Sequence, residues 1–221
     1  MPSGIVSHQA PGLLLKIKYP HKFDGTALAI GTLVPDLNAL IDLFFPVYFR
    51  NITHSFLGQF IYTIPLTLIL IILFCKYIGP SVSNIAKRER KIYKPLKFFG
   101  INDWDVFKNK KYNLKFFVVA TYSAFIGGMT HILIDLPAHK YNVLFFPIIT
   151  LSPDLLLYSI VDFGSFNLGP FLIEMNLTIY QLIWIIEDTL TLISSLYLLR
   201  YIKKHNLVSK WYETITEKNV S

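Results

Sequence analysis

His131 and Asp135 lie four residues apart in the stretch GGMTHILIDLPAHKY, residues 127–141, at the end of a long apolar run. On a helix that spacing puts both side chains on one face, one turn apart. Pro137 ends or kinks such a helix, because its ring clashes with the carbonyl four residues back. The turn that follows can return His139 to the same face. Two imidazoles and a carboxylate then converge at one edge of an apolar segment, a donor set that suits zinc, manganese or iron. The single cysteine, Cys75, excludes a cysteine-based zinc site and an internal disulfide. The competing account is a His131–Asp135 pair bonded across helices, with His139 solvated beside Lys140.

Three further polar residues stand at the edges of apolar segments. His54, in RNITHSFLG, opens an uncharged run, and Thr53 or Ser55 can cap the helix there without it. Asp36, in IGTLVPDLNAL, has no Lys or Arg close in sequence. A buried carboxylate must find a partner or become protonated. His8, in GIVSHQAPG, precedes the first apolar stretch, whereas His21 and His205 read as surface residues. Asp154, Glu187 and Asp188 stay unassigned, as further ligands or as carboxylates satisfied within a bundle. For Asp154, capping of a helix start is an equal alternative, and Asp36 sits in a similar Pro-Asp context.

The elements that carry these residues are those of a membrane protein. Of 221 residues, 53% are hydrophobic and 16% charged, with a mean hydropathy of +0.46. Soluble domains carry about a quarter charged residues. Residues 56–75 are uncharged, as are 116–134, and about twenty apolar residues span a bilayer. Pro65 is expected to kink the first of these spans. The run 176–199 is long enough despite Glu187 and Asp188. The run 25–49 is interrupted by Asp36 and Asp42, and 143–163 by two prolines and two aspartates. We therefore expect an all-α, polytopic helical membrane protein with re-entrant or broken helices, a single membrane domain over 1–221. No signal peptide is expected at the start.

Charge sets the expected orientation. The chain carries a net +7, and residues 76–115 alone hold eleven Lys/Arg against Glu89, Asp103 and Asp105. Such a loop between apolar segments reads as cytoplasmic rather than as a nucleic-acid surface. The basic loop 79–113 and the basic tail 202–221 are both placed in the cytoplasm, with the cell membrane as location and lipid as partner. The segment 143–163 then cannot make a full crossing, and is expected to be re-entrant or packed on the protein.

The motifs MPSGIVSHQAP, AIGTLVPD, THSFLG and GGMTHILIDLPAH resemble, in this order, those of an uncharacterised prokaryotic membrane family, domain of unknown function 4184. That family is similar to membrane-bound metal-dependent hydrolases. Across His8, Asp36, His54, His131, Asp135 and His139 the order of ligand types is also similar to that of zinc-dependent phospholipase C and the related single-strand nucleases. The likeness implies a divalent metal, zinc by preference, held by Asp36, His54 and His131. It implies that Asp135 bridges to a second ion bound partly by His8, and that His139 serves another. The final His-x-x-x-Asp/Glu pair of those enzymes is missing after His139, which leaves a one- or two-metal site.

The implied function is a metal-dependent hydrolase of phosphoesters or lipids. A metal or proton transporter using the same ligands, and a structural membrane protein with paired polar residues, are the alternatives. Lys16, Lys18 and Lys22 place the N-terminus with the basic loop, on the side away from His54. For His8 to join the site, the segment 25–49 is expected to be re-entrant, with Asp36 near its turn.

Overall fold

The computed structural model describes residues 4–42, 49–168 and 171–217, with side chains described at all but 4–5, 40–41, 166–168, 171–175 and 213–217. Residues 43–48 of the apolar segment 25–49, and 218–221 of the basic tail, lie outside the described residues. The fold is all-α in its main elements, as the composition implies. In chain order the longer helices are α1 (Ala10–Lys18), α2 (Gly25–Leu33), α3 (Phe56–Ala86), α4 (Leu114–Asp135), α5 (Ile179–Lys204) and α6 (Leu207–Glu217). Of these α3, α4 with its extension to Ala138, and α5 are long and apolar enough to cross a membrane.

Local chemistry explains where these helices begin and bend. Ser55 caps α3: Gly58 N donates to its Oγ at 3.0 Å. Asn113 caps α4 by accepting from Phe116 N at 2.9 Å. Thr178 and Gln181 form a capping box at α5, so that helix starts at Ile179 and runs on to Lys204 rather than covering 176–199. Pro65 does not end α3. Wider π-type turns at Gln59–Thr63 and Phe74–Ile78 interrupt the α ladder, the first immediately ahead of the proline.

The broken helix lies at α2. Asp24 caps it, accepting from Ala27 N at 2.8 Å. Past Leu33 the chain tightens into a 3-10 turn, Val34–Leu37, with Pro35 inside it. Together Gly25–Leu37 reach only about 20 Å, short of the ~30 Å hydrocarbon core. α2 runs parallel to α4. Asp24 N donates to Ser123 Oγ at 3.0 Å near one end, and Asp36 meets His131 at the other. Glycines allow the close approach: a Cβ on Gly31 would come within 2.6 Å of Ala124 O, and one on Gly127 would collide with Leu28 O.

The basic segment 79–113 is folded, not a free loop. α3 continues to Ala86, and a 3-10 stretch, Ile101–Asn109, packs back on it. Ser83 Oγ donates to Asn102 O at 2.7 Å, and Phe107 is buried against Ile71, Cys75, Ala27 and Ala120. Lys203 bonds Asp103 at 2.8 Å, and Arg200 donates to Phe98 O at 2.9 Å, so the segment and the start of the tail meet at one end of the bundle. There a cavity of about 330 Å³ opens among α1, α2, α5, α6 and the folded segment, with Trp104 and Trp211 in its wall.

One expectation is corrected here and one kind of element is added. His8 reaches the other candidate residues at the end of α1 away from the lysines, and no turn in the described part of 25–49 is needed to bring it there. Ser195 Oγ donates to Ser7 O at 2.9 Å before α1, while Lys16 at its end lies over the Trp211 ring, 5.1 Å away. The N-terminal lysines and His8 therefore sit at opposite ends of α1. The segment after α4 forms strands that went unrecognised in the sequence. β1 (Tyr141–Asn142) pairs with β2 (Thr150–Leu151), and β3 (Ser159–Leu168) pairs antiparallel with β4 (Phe171–Thr178). Runs rich in Ile, Val and Phe on either side of a Leu-Gly-Pro sequence carry that hairpin. The segment 143–163 accordingly makes no helical crossing.

Candidate metal centre

Six elements bring the six candidate residues together. His131 and Asp135 face inward one turn apart on α4, and His131 is 0% exposed. A 3-10 turn at Leu136–Ala138 then swings His139 back, and its Nε2 stands 3.1 Å from Asp135 Oδ2. Ser152 Oγ holds the His139 carbonyl at 2.6 Å, which anchors that return. His54 sits between the helical turn Arg50–Thr53 and the start of α3. Asp36 comes from the 3-10 turn that ends α2. His8 precedes α1 and places Nε2 3.2 Å from Asp135 Oδ1.

Three of the donor atoms form a near-equilateral triangle. His54 Nε2 lies 3.3 Å and His131 Nε2 3.4 Å from Asp36 Oδ1, and the two nitrogens are 3.4 Å apart. Asp135 Oδ2 stands 3.8 Å from His54 Nε2 and 3.7 Å from His131 Nε2. These separations are long for hydrogen bonds. A tetrahedron with ligand bonds of about 2.0–2.2 Å has edges of about 3.3–3.6 Å. Ligand atoms of Asp36, His54, His131 and Asp135 all lie within 4.8 Å of one another, and this cluster could hold a metal ion.

The surroundings orient the donors. Thr53 Oγ1 lies 3.0 Å from His54 Nδ1, which leaves Nε2 for the cluster. The His8 and His131 rings meet edge to face, 4.6 Å between centroids. Glu187, from α5, places Oε1 3.6 Å from His8 Nδ1, on the side of the ring away from Asp135. Asp154 is exposed at the start of a short helical turn, and His21 and His205 are exposed as well. Arg50, which the sequence reading passed over, lines a notch beside His54, Asp135 and His139. Its spacing of four from His54 was the available signal.

With this geometry in view, the chain matches over residues 1–211 the family described as a domain of unknown function, DUF4184. It belongs to that family. No curated protein and no solved structure matches it. In this DUF4184 chain the matched span takes in all six histidine and aspartate candidates together with Arg50 and Glu187.

Proposed function

We propose that this DUF4184 chain is a membrane-bound metal-dependent hydrolase of phosphoesters or lipids in the cell membrane. The observation that carries this reading is the triangle of Asp36, His54 and His131, with Asp135 set slightly apart. A closed set of four equal protein ligands is the mark of a structural zinc site, whereas catalytic sites use three and keep one position for water or substrate. Here the looser fourth ligand, the Asp135 carboxylate, is also engaged by His8 at 3.2 Å and His139 at 3.1 Å. A divalent cation such as zinc would acidify a water and polarise a phosphoryl or acyl oxygen.

The chain's own residues then have separable tasks. Asp36, His54 and His131 would hold the cation. Asp135 contacts both outer imidazoles and would complete the cation's ligands, and His8 or His139 could take or return a proton at Nε2. His139 is the more accessible, its side chain 33% exposed at the notch. Long apolar helices beside the centre support a substrate that arrives through the lipid phase.

The test is metal analysis of the purified full chain, followed by turnover of a generic phosphoester. The expected result is stoichiometric zinc in the wild type, loss of zinc in Asp135→Asn, and zinc-dependent hydrolysis in the wild type alone. Stoichiometric metal with no turnover of any phosphoester or carboxylic ester would leave the centre standing and sink the hydrolase reading.

A further inference from the structure

Arg50 lies on the helical turn just ahead of His54 and is half-buried. Among the described residues its guanidinium makes no hydrogen bond and no ion pair, although its charge acts on Asp135 and Asp36. It lines the notch beside the centre together with His139, Tyr141 and Asn142. Asn142 Oδ1 is used internally, accepting from Leu144 N at 2.9 Å, so its Nδ2 hydrogens remain as donors. Leu144 O in turn accepts from Phe56 N at 2.8 Å, which fixes this wall to the start of α3.

Charge balance gives this notch its chemistry. A divalent cation at the centre would match Asp36 and Asp135, the two carboxylates whose charge acts on Arg50. The guanidinium beside them then has no counter-charge, and a partly buried charge seeks one. Arginine's planar fork suits the paired oxygens of a phosphoryl group. We propose that Arg50, assisted by Asn142, forms an anion subsite that holds the non-bridging oxygens of a phosphoryl group beside the metal centre. Arg50 thereby selects a phosphoester over a neutral ester or amide. This rests on the hydrolase reading for its consequence, but the anion subsite can be tested without turnover.

The experiment measures inorganic phosphate binding by calorimetry on the zinc-loaded full chain in detergent, with zinc content determined on each sample. Arg50→Gln is expected to bind phosphate about 10- to 100-fold more weakly than wild type, the loss of one charged hydrogen-bonding partner. Arg50→Lys should fall between them, Lys97→Gln at the basic end should match wild type, and all should keep their zinc. A soluble phosphodiester and a phospholipid in mixed micelles, used as competitors, distinguish a free phosphoryl group from a lipid headgroup. Unchanged phosphate affinity in Arg50→Gln overturns the proposal. So does loss of zinc in both Arg50 variants, which would make the arginine a support of the centre, or a wild type whose phosphate binding ignores zinc. Phosphate bound through Arg50 without turnover of any phosphoester would keep the subsite and remove the hydrolase reading.

Discussion

Asp36 Oδ1 is the atom around which the centre is arranged, lying within 3.4 Å of both His54 Nε2 and His131 Nε2. Removing it, or either imidazole, takes away a vertex rather than a peripheral contact. We expect Asp36→Asn and His131→Ala to abolish stoichiometric zinc, measured by elemental analysis, with His21→Ala as an unaffected exposed control. Thr53→Val removes the hydroxyl that sets the His54 ring and also donates to Arg50 O, so zinc should be retained but bound about 10- to 100-fold more weakly in a competition titration. Zinc retention should also fall as the solution is acidified, because the ligands bind only after shedding their protons. Much of this was legible residue by residue. The spacing of His131 and Asp135 implied one helix face, and His54 was superfluous for capping because Ser55 does that work. Glu187 and Arg50 were not assigned, since a carboxylate or guanidinium acquires its role from what packs against it.

At the scale of elements, the centre depends on α2 lying flush against α4. Gly31 and Gly127 make that possible, each facing the other helix's backbone. Gly127→Val should force the helices apart at a cost of about 1–3 kcal/mol or more. It should lower the melting temperature and also release zinc, because Asp36 is carried on the displaced element. Gly12→Ala is the contrasting substitution: its Cβ would rest 3.4 Å from Leu28 Cβ, an ordinary contact. That variant is expected to keep both stability and zinc. The break after α2 was visible in Pro35 and Asp36. The β3–β4 hairpin was not, because strand pairing is decided between segments and leaves no helical periodicity to read.

At the scale of the molecule, the ends are tied by charge. Lys110 Nζ bonds Asp24 Oδ2 at 2.6 Å, with both side chains nearly buried, so the folded basic segment is fastened to the start of α2. Breaking a buried pair on one side costs about 3–5 kcal/mol, and Asp24→Ala is expected to show a loss of that order in reversible unfolding. Burial alone would raise the Asp24 carboxyl, but Lys110 outweighs it and holds the group below the usual carboxylate range. A carboxyl depressed in the folded state stabilises the protein above its unfolded value. That stability is lost as pH falls through the folded one. Acid unfolding below about pH 4 should therefore be shallower in Asp24→Asn. The contacts of Lys203 with Asp103 and of Arg200 with Phe98 O place the basic segment and the tail at one end. Reporter fusions at residues 95 and 210 should both read cytoplasmic; opposite sides would show that the chain crosses once more than the three long helices allow.

The sequence by itself determined the all-α membrane class, because twenty uncharged residues leave the backbone few ways to satisfy its hydrogen bonds in lipid except a helix. It also singled out six polar residues at the edges of apolar segments as candidates. What only the tertiary structure decided was how His8 reaches them. Charge patterning sets Lys16, Lys18 and Lys22 apart from the site, and has no term for a nine-residue helix, about 14 Å long, that carries His8 inward from them. The convergence of Asp36, His54 and His131 likewise depends on the parallel fit of α2 on α4, a contact between backbones made by absent side chains. Glycine in a sequence says that a close approach is permitted; only packing says which partner makes it.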